Sequence, residues 1–81
     1  MDHLDLISLV ETFIDSDDEL IRSKILELAR TVYRKNLTYR DCNELMNGSI
    51  KYRSLIFDSS TENKIRLLRI ANLRLFLMTL Y

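Results

Sequence analysis

The sequence predicts an all-α fold, a small bundle of about four helices packed as a homodimer. Three observations point there. The chain has no proline and a single glycine, Gly48, so the usual interrupters of helices are nearly absent. Its apolar residues recur mainly at steps of three and four. Four Ser, Thr or Asp positions carry the pattern of helix starts. At 81 residues the chain is expected to form one domain, burying only about 60% of the surface that its unfolded form exposes. Its one cysteine, Cys42, leaves no internal disulfide to compensate for a small core.

Helix one is expected over residues 3–14, capped by Asp2, with Leu6, Ile7, Val10, Phe13 and Ile14 on one stripe. Ser16-Asp17-Asp18-Glu19 reads as a capping box that opens helix two over residues 17–35. There Ile21, Ile25, Leu28 and Val32 face inward, widened by Leu26, Ala29 and Tyr33, while Lys24, Arg30, Thr31, Arg34 and Lys35 face water. A weaker box, Thr38-Tyr39-Arg40-Asp41, opens helix three over 39–47, with Cys42, Leu45 and Met46 inward and Gly48 as C-cap. Residues 49–57 fit both periodicities and are expected to form a helical turn or an extended connector. Ser59-Ser60-Thr61-Glu62 is a full box that opens helix four over 60–80.

Helix four is apolar on more than one side. Ile65, Leu68, Ala71, Leu75 and Met78 make a stripe for the protomer's own core. Leu73, Phe76, Leu77 and Leu80 then cover other faces, and a helix that is apolar all round is buried all round. These four are therefore assigned to the interface of a homodimer, the simplest closed assembly.

The formal charge is zero but unevenly spread. The first 20 residues hold seven acidic and no basic side chains, whereas the remaining 61 hold all twelve basic ones against five acidic. Such asymmetry suggests an anionic partner or an acidic segment folded onto a basic one. Arg30, Arg34 and Lys35 on helix two, with Arg66, Arg69 and Arg74 on helix four, could track a phosphate backbone. The plainer reading is a solvated face that balances the acidic first quarter.

Signals for chemistry are poor. His3 is a lone histidine near the N-terminus, and Cys42 has neither a second cysteine nor a nearby histidine. The acidic run 15–19 lacks the glycine of a calcium loop and suits helix capping better. No catalytic residue, metal site or cofactor is expected. TYRDCNELMNGSIKYRSLIF fits helix-turn-helix spacing badly, and the two Asn-X-Ser/Thr sites read as chance. Thr79-Leu80-Tyr81 formally matches a PDZ-type C-terminal ligand. No apolar run reaches the roughly 20 residues of a membrane span, and the acidic N-terminus lacks a signal peptide's basic region. The expectation is an intracellular protein, in cytoplasm or nucleus, that is not an enzyme. It is read as a dimeric interaction or regulatory module that acts by binding another macromolecule, with itself as the first partner and a nucleic-acid-binding helical dimer as the alternative.

Overall fold

The computed structural model describes residues 2–58 and 60–78. They form five helices, α1 (Asp2–Ser16), α2 (Glu19–Tyr33), α3 (Tyr39–Asn47), α4 (Ile50–Leu55) and α5 (Thr61–Leu77), with no strand among the described residues. One more helix is present than the sequence suggested, because residues 50–55 form α4. Ser49 caps α4 by accepting from the Tyr52 N–H.

The junction of α1 and α2 corrects the first expected boundary. Asp17 takes the left-handed conformation, φ 51°, and its N–H closes on the Phe13 carbonyl at 2.9 Å. This ends α1 two residues later than expected and leaves Ser16 inside it, its hydroxyl donating to Thr12 O. Asp18 becomes the cap of α2 and accepts from the Leu20 N–H at 2.8 Å. The second helix stops at Tyr33, because Arg34 is left-handed at φ 57°. Asp2 lies within α1 instead of preceding it, and its side chain is outside the described residues.

Thr38 caps α3 as expected, with the full reciprocal box to Asp41. Gly48 is the C-cap but is right-handed, φ −73°. Its small size matters through packing: a Cβ there would sit 2.7 Å from Ile7 Cδ1, so the Ile7 side chain of α1 rests directly on the α3–α4 junction. The cap of α5 is Ser60, which accepts from Asn63 N–H; Ser59 lies outside the described residues, as do Thr79, Leu80 and Tyr81.

α1 and α2 form a hairpin, and α5 packs against all four other helices. The core joins Leu6, Val10, Phe13 and Ile14 of α1 to Ile25, Leu26 and Ala29 of α2. Leu37, the α3 trio Cys42, Leu45 and Met46, and Leu55 of α4 close it with Ile70, Leu73 and Leu77 of α5. The α1 and α3 faces are those read from periodicity. The face of α5 is not. Leu73 and Leu77, assigned above to a second protomer, are 0% and 1% exposed within this chain. Ile65, Leu68 and Leu75, assigned to the core, are 49%, 60% and 66% exposed. Ala71 and Met78 are half-buried.

Polar anchors on both flanks of Ile70 and Leu73 set this rotation. Arg69 Nη1 donates to the carbonyls of Ile14 and Asp15 at 2.9 and 3.2 Å, satisfying acceptors at the C-terminus of α1. Arg74 Nη2 donates to the Tyr52 hydroxyl at 2.8 Å on the α4 side. Turning Ile65 and Leu68 inward would break both contacts.

Candidate interaction surfaces

The basic side chains are placed first as structural ties. Asp15 sits at the C-terminal end of α1, where a carboxylate opposes the helix dipole. It is compensated by Lys51 of α4, which hydrogen-bonds it, and by Arg66 Nε of α5 at 3.6 Å. The Lys51 hydrogen bond, with the nearby Arg66 and Arg69 charges, holds the Asp15 carboxyl below its ordinary range. Arg66 also donates to Asn63 Oδ1 at 3.1 Å and pairs with Glu62.

A second tie closes the α2–α3 turn. Lys35 Nζ lies 3.3 Å from Asp41 Oδ2, the same oxygen that accepts from the Thr38 N–H. The Thr38 backbone hydrogen bond, aided by the Thr38 hydroxyl and Lys35, pulls the Asp41 carboxyl below its ordinary range. A third tie is aromatic. The Arg74 guanidinium lies 5.6 and 5.9 Å from the ring centres of Tyr52 and Tyr39, and Arg22 sits 4.3 Å over Phe76. Arg22 and Tyr52 were not singled out from sequence, since neither follows a motif.

Of the six basic residues proposed for phosphate contact, Lys35, Arg66, Arg69 and Arg74 are thus engaged with acceptors or rings of this chain. Arg30 is half-buried, and Arg34 is exposed at the left-handed end of α2. The six are distributed among the α1 C-terminus, the α2–α3 turn and the α4–α5 contact. Of the expected interface residues, Leu73 and Leu77 belong to the core, Phe76 is half-buried beneath Arg22, and Leu80 is outside the described residues.

Reactive groups are not gathered. Cys42 is fully buried, and that burial pushes its thiol above the ordinary range, so it stays protonated. Among the described residues no three His, Cys, Asp or Glu side chains come close enough to hold a metal ion. A cleft of about 210 Å³, lined by Asp15, Glu62, Ile65, Arg66 and Arg69, falls below the roughly 300–1,000 Å³ of ordinary ligand pockets. No described helix is long and apolar enough to cross a membrane.

No family model, curated protein or solved structure matches this chain. Function is therefore read from its own surface. The conspicuous feature there is apolar: Ile65, Leu68 and Leu75 on the outer side of α5, and Ile50, Ile56 and Phe57 on and after α4. Phe57 is 87% exposed. The α5 set was visible in the sequence as a stripe at helical spacing. What periodicity lacked was a way to tell the inner of two apolar stripes from the outer.

Proposed function

We propose that this chain is a non-enzymatic macromolecular-binding module that engages its partner through exposed apolar side chains. The observation that carries this reading is α5, whose apolar residues fill both a fully buried face and a solvent face. A helix that needed only to complete its own protomer would carry polar residues outward. The nucleic-acid alternative is weakened by cost. Phosphate binding through the basic set would require Lys35, Arg66, Arg69 and Arg74 to give up internal partners that hold helices together.

Titration of a dye-labelled DNA duplex with the purified protein, at low and moderate salt, separates the two. The expected result is no saturable binding even at low salt. Tight binding that falls steeply with salt would reverse the reading in favour of phosphate contact.

A further inference from the structure

We propose that the outer face of α5 pairs with the same face of a second copy of this chain, the two helices running parallel and in register. The proposal rests on the binding-module reading and names its partner.

Thr61, Ile65, Leu68, Asn72 and Leu75 are separated by steps of four, three, four and three, and all five are exposed. That alternation is the seam of a coiled coil, with Ile65 and Asn72 at a positions and Thr61, Leu68 and Leu75 at d. Isoleucine at a with leucine at d favours two parallel strands, and a single asparagine at a fixes register. In a parallel pair the two Asn72 amides meet and can hydrogen-bond across the axis. The antiparallel alignment that keeps Ile65, Leu68 and Leu75 in the seam sets each Asn72 against Leu68 of the other copy, burying an amide without a partner.

The area agrees with a dissociable pair. Ile65, Leu68 and Leu75 each expose roughly 100 Å², about 600 Å² across two copies, and Thr61, Ala71, Asn72 and the Lys64 stem bring the contact near the roughly 1,000 Å² of a specific interface. The protomer exposes 5297 Å², close to the about 5,100 Å² of a compact monomer this size. Two heptads are too short for an isolated coiled coil. Here the core already holds α5 helical, so association does not bear the cost of helix nucleation. On each flank Lys64 faces Arg69 of the second copy, whose guanidinium is turned onto α1 carbonyls, and one heptad further on Ala71 faces Phe76.

Sedimentation equilibrium of the wild type, of Leu68→Ser with Leu75→Ser, and of Asn72→Cys tests this, alongside urea denaturation of each at low concentration. The wild type should dimerise reversibly. The double variant should weaken association by at least about 100-fold with its urea midpoint unchanged. Asn72→Cys should form a disulfide-linked dimer under mild oxidation, whereas the wild type, with only the buried Cys42, should not. A wild type that stays monomeric at hundreds of micromolar overturns the second copy as partner; the binding reading survives if the double variant still folds normally. A double variant with a sharply lowered midpoint shows that this face is core and overturns both. A dimer that survives the double change, or one in which Asn72→Cys never cross-links, overturns the seam or its parallel register.

Discussion

Asp17 turns the chain between α1 and α2, because its left-handed backbone lets its N–H close on Phe13 while Asp18 opens the next helix. Aspartate tolerates that conformation better than most residues. The helix start is consequently Asp18, and Asp18→Ala should cost roughly 0.5–2 kcal/mol. Ser16→Ala, at an exposed position, should stay within about 0.5 kcal/mol. Urea denaturation of the two variants checks the difference, and equal losses would place the cap wrongly. Ser16-Asp17-Asp18-Glu19 offers two cap registers, and the left-handed residue that chooses between them leaves no periodic trace. Thr38 was legible because Thr38 and Asp41 satisfy each other's backbone N–H within four residues.

Among the elements, α4 depends on a contact far away in sequence. Ser49 is fully buried; its hydroxyl accepts from Tyr52 N–H at 3.2 Å and donates to Glu11 Oε2 at 2.7 Å. Glu11 also accepts from Lys51 N–H, so a carboxylate on α1 sits at the N-terminus of α4. Ser49→Ala removes the cap and deprives Glu11 of its donor, and should lower stability by roughly 1–3 kcal/mol in a urea titration. An unchanged midpoint would mean that α4 is held by its apolar contacts alone. Residues 49–57 were ambiguous because a six-residue helix shows barely two turns of periodicity. The inner face of α5 was hidden differently. Its two apolar stripes are comparable in sequence, and the deciding anchors, Arg69 on α1 and Arg74 on Tyr52, are contacts between distant segments.

For the whole molecule, the split between an acidic beginning and a basic remainder is partly resolved inside the fold. Asp15 draws Lys51 of α4 and Arg66 of α5 onto α1; within the basic remainder itself, Asp41 draws Lys35 across the α2–α3 turn. Both carboxyls titrate below their ordinary 3.8 in the folded chain, so the folded state favours their ionised forms. Their contribution is present above the unfolded value and is lost as pH falls through the lowered, folded one. Urea midpoints should therefore fall as pH drops below the ordinary carboxylate range, and Asp15→Asn should flatten that decline. A slope identical in the variant would remove Asp15 from the explanation.

The central claim is that α5 has one face that builds the protomer and another that binds. The most direct measurement is urea denaturation, at protein concentrations too low for association, of Leu73→Ala beside Leu68→Ala. Leu73 is fully buried, and its truncation should cost about 2–5 kcal/mol, whereas the exposed Leu68 should change stability by no more than about 0.5 kcal/mol. Comparable losses at both positions, or a larger loss at Leu68, would contradict the rotation of α5 and with it the binding face.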